Sequence, residues 1–118
     1  PFNKDEAEYV YILVRTDLSL AQQFVQGIHA SMSATHQFGG LTDETRVSLL
    51  SISDEDELQS WAAKLEEKGM DFKMFWEPDN NIGWSSLATA PISRQQGKIF
   101  KKLSKWNVEE QQTSLLAA

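Results

Sequence analysis

The chain of 118 residues contains no cysteine, which excludes a disulfide framework and any thiolate metal site. Its three prolines and six glycines are too few for a collagen-like or low-complexity chain. No apolar run approaches the roughly 18–20 residues of a membrane span. No basic-then-apolar segment opens the sequence, so neither a transmembrane helix nor a secretory signal is expected. Acidic residues outnumber basic ones 17 to 11, for a net charge of −6, the wrong sign for a general polyanion binder. Together these absences read as a water-soluble, cytoplasmic protein without a membrane partner. What is present is ordinary: 41% hydrophobic and 24% charged residues, enough for one globular domain. A chain of this size buries about two-thirds of its unfolded surface and can hold a core unaided.

Residues 9–15 (YVYILVR) are apolar at nearly every position, the pattern of a central strand buried on both faces. Ser19 with Gln22 three residues on resembles a capping box, and Leu20, Phe24, Ile28 and Met32 then recur every four residues as far as Gly39, predicting a long amphipathic helix. A second strand is expected over 46–52, followed by a helix that Ser53 caps. The acids at 54–57 suit its dipole and read as a solvated first turn. Its apolar stripe is Leu58, Trp61, Ala62 and Leu65, and Lys68 with Gly69 ends it. Strands at 71–76 and 84–90 flank the turn formers Pro78, Asp79, Asn80 and Asn81. Ser93 with Gln96 suggests a last helix carrying Ile99, Leu103 and Trp106, weakened by Gly97. The tail, 107–118, reads as flexible.

The resulting order, β-α-β-α-β-β-α, places helices on both sheet faces, with parallel strands where a helix intervenes and an antiparallel fourth strand. Ligands of such sheets bind beyond the carboxyl ends of the parallel strands. Thr16 with Asp17 and Glu77 with Asp79 fall there, joined by the start of the fourth strand, Trp84 to Ser86, so that Asp17, Asp79, Ser85 and Ser86 can converge. Carboxylates beside hydroxyls can orient a water or steady a polar intermediate. Equally, Asp17 can cap a helix and Asp79 an Asx turn. The two histidines, His29 and His36, fall short of the three or four ligands zinc takes, and no cofactor motif occurs. Between 91 and 107 lie Arg94, Lys98, Lys101, Lys102 and Lys105 and no acid, leaving 6 basic and 17 acidic residues elsewhere. Their spacing makes a helical basic stripe suited to a phosphate backbone, or a solvated face favoured by the helix dipole. Trp76, Trp84 and Trp106 offer stacking faces, although strand aromatics more often serve the core.

Val14-Arg15-Thr16-Asp17-Leu18, then Gln26-x-x-His29-Ala30, resembles the opening of type II peptidyl-tRNA hydrolases, whose pattern is V-R-x-D-L followed by G-K-x-A-A-Q-x-x-H-A. Asp79, the hydroxyl pair Ser85 and Ser86, and Leu87-Ala88-Thr89-Ala90-Pro91 resemble that family's D-x-G-x-T segment and its following L-A-I-G-P. The likeness runs over residues 9–106, taken as the domain. It implies a three-layer α/β/α sandwich with a four-stranded mixed sheet in the order 2-1-4-3, strand 4 antiparallel. It also implies hydrolysis of the ester between peptide and tRNA. Carried over, Asp79, Gln22 and His29 take catalytic places. Asp17, Gln26, Ser85, Ser86 and the basic residues 94–105 take substrate-binding places, with tRNA or another nucleotide-containing ligand as partner and no cofactor or metal. The family's lysine is replaced by Gln22, and the loop before the helix is shorter. An inactive nucleotide-, RNA- or protein-binding module on the same fold, a regulatory protein using the acidic second helix, and a homodimer are open alternatives.

Overall fold

A computed structural model describes residues 6–110. Strand β1 (Glu8–Arg15) leads to helix α1 (Leu20–Phe38), β2 (Arg46–Ile52), α2 (Glu55–Glu67), β3 (Phe72–Glu77), β4 (Gly83–Thr89) and a two-residue β5 (Ile92–Ser93). The main sheet has the order β2-β1-β4-β3. β1 is parallel to β2 and antiparallel to β4, and β4 is antiparallel to β3, so β1, β2 and β3 share one direction. The three-layer arrangement and strand order thus agree with expectation. β5 is additional: after Pro91 the chain returns to the start of β1, pairing Tyr9 with Ile92. Between the two pairings the buried Thr89 hydroxyl accepts the Tyr11 N–H at 3.0 Å, supplying the ladder bond that β4 no longer provides. Among the described residues no helix is long and apolar enough to cross a membrane.

Alternation along β1 divides the core. Tyr11 and Leu13 pack with Leu50, Ile52, Leu87 and the α2 residues Leu58, Ala62 and Leu65. Val10 and Ile12 pack on the other face with Ala30, Ala34 and Ala88. Helix α1 starts as expected, with the Ser19 hydroxyl accepting the Gln22 N–H, but its buried face differs. The inward residues are Gln23, Gln26, Gly27, Ala30 and Ala34, whereas Phe24, Ile28 and Met32 are 48%, 58% and 62% exposed. Small residues bring α1 close to the sheet; a methyl added at Gly27 would already touch the Ile12 side chain at 3.8 Å. Phe24, about 100° round the helix from Gln23, therefore faces outward.

Two further expectations are corrected. Asp54, not Ser53, caps α2 by accepting the Glu57 N–H at 2.9 Å, while the Ser53 hydroxyl donates to the Glu57 carboxylate. The third helix does not form. Ser93 and Gln96 make the reciprocal capping bonds, yet only a 3-10 turn, Gln96–Phe100, follows. Beyond it the chain extends along the outer edge of β2, where Ser51 N–H donates to the Ser104 carbonyl and Trp106 N–H to the Leu49 carbonyl, both at 2.9 Å. Satisfying an open strand edge outweighs the helical signal. Of the tail, Asn107 caps a helical turn by accepting N–H bonds from Glu109 and Glu110; residues 111–118 lie outside the described residues.

Candidate functional site

The carboxyl edge of the parallel strands is organised first by Arg15. This residue is only 8% exposed, and its side chain grips Asp17 bidentately, Nε to Oδ1 at 2.9 Å and Nη2 to Oδ2 at 2.8 Å. Its remaining Nη1 donates to the carbonyls of Ile82 and Trp84 at 2.7 and 3.0 Å, tying β1 to the entrance of β4. The hydrogen bond to Asp17, ahead of the opposing effect of burial, holds the guanidinium pKa above its usual value. Asp17 thus serves as a counter-ion at this edge; the α1 cap is Ser19. Across the same entrance the Glu55 carboxylate accepts the Trp84 N–H at 2.7 Å, so one member of the acidic run has a tertiary partner. Gly83 adopts φ of +77° there, a conformation that favours glycine, and a Cβ on it would push that carboxylate aside.

Gln26 is the centre of the arrangement and is fully buried. Its Oε1 accepts the Ser85 hydroxyl at 2.6 Å, and its backbone carbonyl accepts the Ser86 hydroxyl at 2.7 Å. Its Nε2 donates to Gln22 Oε1 at 3.0 Å and to Glu77 Oε2 at 2.9 Å. Ser85 and Ser86 are themselves fully buried, so they face Gln26 and not an open cleft. A buried amide with both ends engaged fixes α1 against β3 and β4.

The outward end of this network is Gln22, Glu77, Asp79 and His29. Glu77 Oε1 accepts the backbone N–H of Asp79 at 3.1 Å, which aligns the turn Asp79–Asn81. Asn80 and Asn81 take positive φ in this connection, a conformation asparagine tolerates. The Gln26 amide, then the Asp79 N–H, hold the Glu77 carboxyl below its ordinary value of 4.5 against the pull of desolvation, with lesser help from His29 and the Asp79 side chain. His29 is exposed and lies flat on Phe75, ring centroids 4.5 Å apart and planes 3° from parallel. Because Gln22 Oε1 is taken by Gln26, its amide N–H2 is left to donate outward. The edge therefore combines a neutral donor, two carboxyls and an imidazole on an aromatic shelf. The sequence places Glu77 at this strand end beside Asp79 but gives it no role; its bonds to Gln26 and the Asp79 N–H are what the structure adds.

The basic residues do not join this cluster. Lys98 lies in the 3-10 turn and Lys101, Lys102 and Lys105 follow it, so no helical stripe exists. Arg94, Lys98, Lys101 and Lys105 instead border a groove with Tyr9 and Tyr11, on the α2 side of the sheet and so opposite α1. Lys102 faces a different hollow beside Glu57 and Glu110. Of the tryptophans, Trp76 and Trp84 meet edge to face at 5.1 Å, and Trp106 donates its indole N–H to Gln23 at 2.7 Å. No protein-family model matches the chain, and no curated protein matches it.

Proposed function

We propose that this chain is a peptidyl-tRNA hydrolase-like protein that acts on the ester joining a peptide to the terminal ribose of tRNA. The observation that carries the reading is the hydrogen-bonded line Gln22–Gln26–Glu77–Asp79. It joins the first turns of α1 to the β3–β4 connection at the sheet edge where ligands of such folds bind. In this reading the Gln22 amide donates to the ester carbonyl oxygen, and Asp79 orients a water for attack on the carbonyl carbon. The proton the water loses passes to Asp79, and as the bond to the ribose oxygen breaks that oxygen takes it up, leaving a free peptide carboxyl and a ribose hydroxyl. The shelf formed by His29 on Phe75 accepts the terminal nucleotide. A neutral donor steadies a developing oxyanion less than an ammonium does, so the reading carries a specific expectation: Gln22→Lys turns over faster than the native chain, and Asp79→Ala abolishes the gain. A variant that binds tRNA normally and stays inert counts against it.

A second reading, a module on the same fold that binds without turnover, is favoured by one feature. The Asp17 carboxylate is occupied by Arg15, and both serine hydroxyls are buried on Gln26, which leaves few groups for chemistry. Binding of charged tRNA with no release of the peptide, in native chain and Gln22→Lys alike, selects this second reading.

A further inference from the structure

A groove of about 300 Å³ lies on the sheet face opposite α1. Tyr9 and Tyr11 of β1 and Ser48 of β2 form one side. Arg94 and the chain after β5, with Lys98, Lys101 and Lys105, form the other. None of the described residues lining it is acidic, in a chain where acids outnumber bases 17 to 11. Gathering the three ammonium groups of Lys98, Lys101 and Lys105 around one hollow favours an anion there.

A second, independent observation concerns Tyr11. The residue is 8% exposed and its ring packs on Phe100 at 4.8 Å and beside Tyr9 at 5.8 Å. Its hydroxyl reaches the groove against the Cα of Gly97, where any Cβ would collide with it. That hydroxyl opens into the groove on the side of Arg94, whose charge acts on it. Glycine at 97 thus leaves room for the Tyr11 ring and hydroxyl at the floor of the groove.

We propose that this groove binds a nucleoside monophosphate, with its phosphate among Lys98, Lys101 and Lys105 and its base against Tyr9. The volume is at the lower end of small-ligand sites. Ammonium groups on flexible stems suit a phosphate dianion, and the Tyr11 and Ser48 hydroxyls supply neutral partners for the ribose or the phosphate oxygens. The site is separate from the Gln22–Asp79 edge and does not depend on ester hydrolysis there.

The test is calorimetric titration of the full chain with AMP, adenosine, inorganic phosphate and tRNA, alongside amide chemical shifts. AMP is expected to bind at a single site with a dissociation constant on the order of 10⁻⁴ M, moving the amides of Tyr9, Ser48 and Gly97 and leaving those of Gln22 and His29 in place. Adenosine and inorganic phosphate should each bind at least about tenfold more weakly. Lys98→Ala with Lys101→Ala, both exposed positions, should weaken AMP by about tenfold or more. Tyr11→Phe, which keeps the ring in the core, should weaken it by a few-fold. Unchanged thermal unfolding of the lysine variant separates lost binding from lost folding. AMP binding that is absent at millimolar concentration, or equal in native and lysine-variant chains, overturns the proposal. So does tRNA binding that the lysine variant loses while AMP fails to compete, which makes the groove a contact for RNA backbone.

Discussion

Replacing Gln26 with leucine probes the hub of the candidate site. The substitution keeps volume and apolar packing near Gly27 and Ala30 but removes the acceptor of the Ser85 hydroxyl and the donor that spans Gln22 and Glu77. Ser85 is fully buried, and its other neighbours, the Phe75 carbonyl at 3.4 Å and the Ser86 hydroxyl at 3.3 Å, both lie too far for a good O–H···O bond. Leaving a buried hydroxyl unpaired costs about 1–3 kcal/mol. The lost amide donor adds a smaller, solvent-screened amount at the Glu77 end. A total near 2–3 kcal/mol lowers the melting temperature by about 8–12 °C for a domain of this size. Differential scanning calorimetry or circular dichroism measures it. Adding Ser85→Ala to Gln26→Leu should return about 1 kcal/mol or more, because deleting both partners leaves no orphan. A single variant as stable as the native chain, or a double variant no better than the single one, would refute the view that this amide holds α1 to β4.

Three further outcomes follow from the same geometry. Gly83→Ala should cost at least about 1–2 kcal/mol for its positive φ and also displace Glu55 from the Trp84 N–H, visible as a lost melting temperature and a shifted Trp84 amide resonance. The Glu77 carboxyl is held below its ordinary value by Gln26 and the Asp79 N–H, so its contribution to stability is present above about pH 4.5 and disappears as pH falls through the lowered folded-state value. The melting-temperature gap between native chain and Glu77→Gln should therefore be widest near neutrality and close on acidification, and a gap that widens in acid contradicts the assignment. Arg15→Lys cannot reproduce the fork that holds Asp17 together with the Ile82 and Trp84 carbonyls; a loss of about 1–3 kcal/mol in chemical denaturation is expected.

Much of the fold was legible because its signals are local. The unbroken apolar run at Tyr9 to Arg15, the Ser19 cap and the turn residues around Asp79 each report on their own few residues. What was misread depends on distant partners. The period of Phe24, Ile28 and Met32 correctly announces a helix, but Gly27, Ala30 and Ala34 decide which face approaches the sheet. Ser93 and Gln96 form their capping bonds, yet residues 104–106 leave for β2, more than fifty positions away. In the candidate site Gln26 and His29 were marked by their motif. Glu77 was not, because its role arises only where α1 crosses β3. Of the basic residues, Arg94, Lys98, Lys101 and Lys105 do share one groove, but Lys102 lies apart and no helix carries them, because the chain leaves its helical course for the edge of β2.

The most direct test of the functional account is a single-turnover assay of peptidyl-tRNA with native chain, Gln22→Lys, Asp79→Ala and the Gln22→Lys/Asp79→Ala pair. Each is first checked for unchanged melting temperature. The account predicts release of the peptide by the native chain above the uncatalysed rate, a gain of about tenfold or more from the added ammonium, and loss of both rates with Asp79→Ala. Release equal to the uncatalysed rate in both native chain and Gln22→Lys, or activity indifferent to Asp79, would contradict it.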